Sequence, residues 1–355
     1  MAGHTTVTID GEKFLIDGQP TYAGRSYRDR PVEGLLMNVR AVQATFDDQN
    51  SATRDRWAYP DTGAWDAERN LAEFLEALPI WRAYGLLAVT VNFQGGSPEG
   101  YSKQQPWDSS AFAPDGSLRE PYLERMRRVL DRIDELGMVA IVGYFYQGQD
   151  ERLADERAVV RAVDGATEWL LAGGWRNSIV EINNECDVPN YEHDILRPHR
   201  VHELIARVQA ASSDAASAGR RLLACTSYRG GTVPSENVLR VADVALLHGN
   251  GVTDPAVMAW LIDRNRLRCR TLGREMPIVV NEDDHFDFDR PSNNMLAAVG
   301  RYASWGYFDA GPGSGGGGAR GNYADGYQNV PVNWGINTPT KRGFFELLRE
   351  VTGGA

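Results

Sequence analysis

Two segments of the chain run apolar and then turn polar, in a way that packing explains poorly. SIVEINNECD, which begins at Ser178, changes abruptly at Asn183, Asn184 and Glu185. PIVVNEDD, which begins at Pro277, does the same at Asn281 and Glu282. Paired carboxylates suit the cleavage of a glycosidic bond: one protonates the leaving oxygen, and the other attacks or activates water. That chemistry needs the two groups face to face, although 282 − 185 = 97 positions separate them. It also needs their pKa values pushed apart, with Glu185 expected to be raised by the neighbouring negative charge and partial burial.

Other residues could complete such a site. His248 closes the apolar run LLH and could donate to the Glu282 carboxylate or to a sugar; Tyr228, closing CTSY, could act similarly. A structural histidine is the plainer alternative. Trp305 and Trp334 could be stacking platforms for a sugar ring, with core packing the common alternative for any tryptophan. Trp57, Trp65 and Trp107 lie in long polar connections and have a weaker claim. The acidic run EDDHFDFD over 282–289 offers oxygen ligands and one histidine. It lacks the spacing of a calcium loop or a zinc helix, so no metal site is assigned and a solvated acidic loop is expected.

These residues need a scaffold that brings distant strand ends together. Short apolar segments are expected as strands at 36–46, 87–93, 139–146, 179–184, 222–227, 244–248, 278–281 and 306–310. Amphipathic helical patterns lie between them at 66–84, 122–136, 152–172, 196–218, 255–272 and 293–305, with a last one at 341–351. Gly85, Gly137 and Gly273 each stand where a helix should end before a strand. Eight such units predict an α/β fold, a (β/α)8 TIM barrel. Active sites of this architecture lie at the carboxyl ends of the strands. Glu185 then ends strand four and Glu282 strand seven. Residues 1–30 alternate around two Asp-Gly turns and read as a short N-terminal β-hairpin. The whole of 1–355 is expected to be one catalytic barrel domain, with the glycine-rich stretch in 311–335 as a covering loop rather than a linker.

Composition excludes several other classes. Among 355 residues, 37 basic against 48 acidic side chains leave a net charge of −11, which argues against a nucleic-acid partner. No apolar stretch is long enough to span a membrane. Cys186, Cys225 and Cys269 are odd in number and widely spaced, so neither a disulfide framework nor a CxxC site is expected. With no apolar leader at the N-terminus, the chain is expected to be cytoplasmic, or exported with its signal absent from this sequence. Nothing specifies an oligomeric state.

Asn184-Glu185 at the end of strand four and Glu282 at the end of strand seven resemble the pattern of clan A glycoside hydrolases. That large group includes the family 5 cellulases and mannanases, and the chain resembles a distant relative of them. The resemblance implies that Glu185 is the acid/base, that Asn184 bonds the sugar 2-hydroxyl, and that Glu282 forms a covalent glycosyl-enzyme. It implies a retaining mechanism on a β-linked glycoside or oligosaccharide, with no cofactor. Departures mark a distant branch. The arginine usual near the end of strand two is missing, and the nearest is Arg40 on strand one, which could reach substrate or pair with Glu181 inside the barrel. Tyr146 and Gln147 stand where a histidine usually follows strand three, and His248 where a tyrosine follows strand six. Two other readings remain open: a non-catalytic glycan-binding barrel, and a metal-dependent barrel hydrolase built on the acidic run and His248.

Overall fold

A computed structural model describes residues 4–96, 98, 105–213, 221–310, 323 and 325–354. Its N-terminal sheet is β1 (Val7–Asp10), β2 (Lys13–Ile16) and β3 (Gln19–Pro20), followed by the small ribbon β4 (Ser26–Tyr27) and β5 (Arg30–Pro31). The antiparallel β1–β2 pair turns at Gly11, whose φ of +57° suits glycine. It crosses the amino-terminal end of the barrel. Val7 N–H donates to Arg176 O just before a barrel strand, and the Asp134 carboxylate receives the N–H groups of His4 and Thr5.

The barrel strands are β6 (Asn38–Arg40), β7 (Ala88–Asn92), β8 (Val139–Phe145), β9 (Ser178–Asn183), β10 (Leu223–Cys225), β11 (Ala245–His248), β12 (Ile278–Asp283) and β13 (Ser304–Tyr307). After each comes a helix: α1 (Ala67–Ala83), α2 (Glu120–Glu135), α3 (Glu156–Gly173), α4 (Val201–Ser213), α5 (Glu236–Val241), α6 (Pro255–Thr271), α7 (Asn294–Gly300) and α8 (Pro339–Thr352). This is the (β/α)8 barrel expected from the sequence. All pairings around the ring are parallel, in the order β10-β9-β8-β7-β6-β13-β12-β11. The seam between β10 and β11 is stitched by one residue. Asp243 N–H donates to Ala224 O at 3.0 Å, and its carboxylate accepts from Ala224 N–H at 2.9 Å.

Local rules account for most boundaries. Asp66, Asp155, Asp254, Asn293 and Thr338 each cap a helix with a side-chain oxygen. Gly85, Gly137 and Gly273 adopt positive φ at helix ends, as expected. The first strand is much shorter than 36–46, because the chain turns after Arg40, with Ala44 N–H bonded to Ala41 O. The helix expected over 293–305 stops at Gly300, since Ser304 onward belongs to β13. Helix α5 has only six residues, too few for a periodic pattern to announce it. No described helix is long and apolar enough to cross a membrane.

The barrel interior is unusually polar, and two glycines make room for it. A Cβ on Gly143 would collide with the Asn92 amide, and one on Gly306 with the Asn38 amide. Asn38 and Asn92 are buried within the ring. We therefore expect Gly306→Ala to destabilise the fold by about 1–3 kcal/mol, the usual cost of overpacking. Urea denaturation measures it; an unchanged midpoint would show that the ring has slack there.

Candidate active site

Glu282 lies at the end of β12 and is buried, with 1% of its surface exposed. Its Oε2 is 2.6 Å from Arg40 Nε, and its Oε1 accepts a hydrogen bond from Asn250 Nδ2 at 2.8 Å. Asn250 reaches it because Gly249 passes so close that a Cβ there would strike Asp283. Burial pushes the Glu282 carboxyl above the ordinary carboxylate range. His248 and Arg40 oppose that rise, and Glu185 adds to it.

Glu185 follows β9 and sits at a left-handed φ of +50°, rare for a residue with a side chain. Its N–H donates to Ser227 Oγ at 2.9 Å, and the next amide, Cys186 N–H, donates to Ser227 O at 2.9 Å. Its carboxylate pairs with His248 Nδ1 at 3.0 Å. The same nitrogen is 3.6 Å from Glu282 Oε2, so the imidazole sits between the two acids. One oxygen of each glutamate and a histidine nitrogen all lie within 4.8 Å of one another. Burial pulls the His248 pKa down, but Glu282 and Glu185 outweigh it and the net direction is up.

Arg40 ties the floor together. It is fully buried, and beyond Glu282 it touches Glu181 Oε2 at 3.5 Å and donates to Asn184 Oδ1. Asn281 satisfies its neighbours with its amide oxygen toward Arg40 Nη1 and its NH2 toward His248 Nε2, at 3.2 and 3.1 Å. That NH2 favours a lone pair on Nε2 and so opposes a second proton on the ring. Asn184 Nδ2 donates to Gln147 Oε1 at 3.0 Å. Tyr146 lies in the same field: burial first, then the charge of Glu282, holds its phenol well above its usual pKa.

Several expectations need correction. Arg40 is buried beneath the glutamates as their counter-ion, which is the buried alternative extended to a second partner. Tyr228 is outside the site, its hydroxyl bonded to Ser235 Oγ at 2.6 Å. His248 has Glu185, not Glu282, as its nearer partner. Neither tryptophan is a platform. Trp305 points outward from β13, bonds Asp283 through Nε1 and packs on Phe288 and Phe344. Trp334 packs on Phe74 and Tyr327 and bonds Asn70. Trp57, Trp65 and Trp107 form an aromatic cluster with Phe46 and Tyr59. The glycine-rich run 311–322, the heart of the expected covering loop, lies outside the described residues.

Sequence reasoning missed Asn250, Ser227 and the role of Asn281. Asn250 stands two residues past His248, and Ser227 directly before Tyr228. Polar residues just beyond a strand end were the available signal.

Among the described residues, two side-chain groups have the makings of a cation site. Glu185, His248 and Glu282 form one, but Arg40 already holds a positive charge 2.6 Å from Glu282, and a divalent ion there would be repelled. Asp283, Asp284 and His285 form the other. The Asp283 carboxylate already accepts from Trp305, Asn294 and His285, so few of its lone pairs are left.

No protein-family model matches the sequence, and no curated protein matches it either. Solved structures do. The fold is shared with glycoside hydrolases. A family 5 mannosidase from Rhizomucor miehei superposes with a TM-score of 0.53 at 12% identity, over 98% of this chain and 97% of that one. An endo-1,4-β-mannanase from the same organism gives 0.52 at 12% identity, over 85% and 90%. An exo-β-1,4-mannosidase from Opitutaceae bacterium strain TAV5 gives 0.55 at 15% identity, over 98% of this chain and 62% of that one.

The buried charges generate a stability prediction. Arg40→Met should cost about 3–5 kcal/mol near neutral pH, because Glu181 and Glu282 lose their counter-ion. The loss should shrink as the pH falls through the raised Glu282 value, since a protonated carboxyl needs no counter-ion. Urea denaturation at two pH values checks this, and an equal loss at both would refute the electrostatic account.

Proposed function

We propose that this chain is a retaining glycoside hydrolase, with Glu282 as nucleophile and Glu185 as acid/base. The observation that carries the reading is the carboxylate pair, with oxygens within 4.8 Å at the catalytic end of a barrel. Double displacement uses carboxyl groups about 5–5.5 Å apart, whereas inversion needs about 6.5–9.5 Å to admit a water. In the first step Glu282 attacks the anomeric carbon while Glu185 gives its proton to the leaving oxygen. In the second, Glu185 takes a proton from water, and that water releases the sugar from Glu282.

The surroundings divide the roles. Glu282 is held by an ion pair with Arg40 and a hydrogen bond from Asn250, and both favour a carboxylate. Glu185 is the more open of the two, its side chain 11% exposed against 1%, as suits a group that must exchange protons with water. The substrate class is a β-linked glycoside. β-Mannosides are the first to test, because a mannosidase shares the fold at nearly full length and a mannanase over 85% of this chain.

Kinetics separates the two glutamates. Glu185→Ala should lose about 10²–10⁴-fold on substrates with poor leaving groups and far less of kcat/KM on activated aryl glycosides. Azide should restore its turnover and give a glycosyl azide of retained configuration. Glu282→Ala should be inactive on every natural substrate; wild-type activity in that variant would end the double-displacement reading. In the unaltered protein, the acidic limb of kcat/KM against pH should lie above the ordinary carboxylate range, because burial raises Glu282 and it must be ionised to attack. A limb at or below that range would contradict the assignment.

A further inference from the structure

Glu181, on β9 four residues before Glu185, is a third carboxylate buried at the site. It is fully buried. A buried ion is costly, by several kcal/mol even after relaxation, and Arg40 already has Glu282 as a partner. Packing alone therefore does not explain why a charge stands here. Its contacts suggest a reason. Glu181 Oε2 lies 3.5 Å from Arg40 Nη1, and Oε1 is 2.5 Å from Ser227 Oγ.

Ser227 has one hydroxyl proton. It donates that proton to Glu181 Oε1, and the oxygen lone pairs are left for the Glu185 N–H at 2.9 Å. The Ser227 carbonyl takes the following amide, Cys186 N–H, at 2.9 Å. One residue on the neighbouring strand thus binds two successive amides at the point where Glu185 adopts its left-handed φ. A non-glycine residue in such a conformation costs roughly 1–2 kcal/mol and persists only where its surroundings over-determine it.

We infer that Glu181 and Ser227 are positioning residues for Glu185: Glu181 orients the Ser227 hydroxyl, which locks the Glu185 backbone so that its carboxyl faces His248 and Glu282. This rests on the reading of Glu185 as proton donor. Through Arg40 the same Glu181 also competes for the cation that stabilises ionised Glu282. The other titratable groups that feel Glu181 are Tyr146, Tyr191 and Cys225, all buried.

Two variants and two readouts test the inference. In Ser227→Ala the Glu185 amide loses its acceptor, so its proton resonance should move upfield and its hydrogen exchange should quicken. In the same variant kcat/KM should fall about tenfold or more on a glycoside with a poor leaving group, and by less than about twofold on an activated aryl glycoside. Glu181→Gln keeps an acceptor for Ser227, so the Glu185 amide should stay as it is. Glu282 is then the one carboxylate paired with Arg40, and the acidic limb of kcat/KM should move to lower pH. An unchanged Glu185 amide in Ser227→Ala overturns the positioning role, as does an equal loss on both substrates. An unmoved acidic limb in a folded Glu181→Gln overturns the part given to Glu181. If the unaltered protein cleaves no glycoside while the amide responds as expected, the hydrolase reading fails and the backbone lock stands.

Discussion

A single guanidinium lies under the site, and the arrangement above depends on it. Arg40 is fully enclosed by the barrel and contacts Glu181, Glu282 and Asn184. Three acids enter this small volume, and without a fixed positive charge their mutual repulsion and desolvation would be hard to sustain. The planar fork of arginine can serve three acceptors at once, which the point charge of a lysine would do less well. Arg40 and the carboxylates it touches are enclosed together, which limits the orientations open to each. Preorganisation of this kind lets charge develop at a reacting centre without the protein having to rearrange.

Around that charge, the barrel turns chain-distant residues into neighbours. Arg40 comes from β6, Glu181 from β9, Ser227 from just after β10, His248 from β11, and Glu282 from β12. Each reaches the site because parallel strands present their carboxyl ends on one face. The glycines at 143, 249 and 306 serve the same end from the other direction: they withhold a Cβ where Asn92, Asp283 and Asn38 need the space. The polar interior and the site above it are therefore one construction, with packing and chemistry drawing on the same positions.

At 12–15% identity the solved relatives establish how the chain folds and little about what it recognises. Arg40, from β6, lies beneath the glutamates. An asparagine two residues beyond His248 supplies the donor to Glu282. The aromatic residues that seemed suited to sugar stacking pack instead between the barrel and the outer helices α1 and α8, where Trp334, Trp81, Trp305 and Phe344 make a continuous layer.

Alternation of short apolar segments with amphipathic ones was enough, by itself, to determine the eight barrel strands, seven of the eight helices, the helix-ending glycines and the two strand-end glutamates. Those features follow from local periodicity and turn chemistry, which are written in neighbouring residues. Strand length, the short helix α5 and the direction each aromatic faces were not legible. They depend on what lies across the sheet or against the next helix. Whether Trp305 points into the mouth or out to α8 is a matter of strand parity, and a shift of one residue reverses it. In the same way, only the closed ring could decide that His248 sits between two acids, that Asn250 reaches Glu282, and that Arg40 lies below them all. Those contacts join residues up to 242 positions apart in sequence, from Arg40 to Glu282, and no local pattern encodes such a distance.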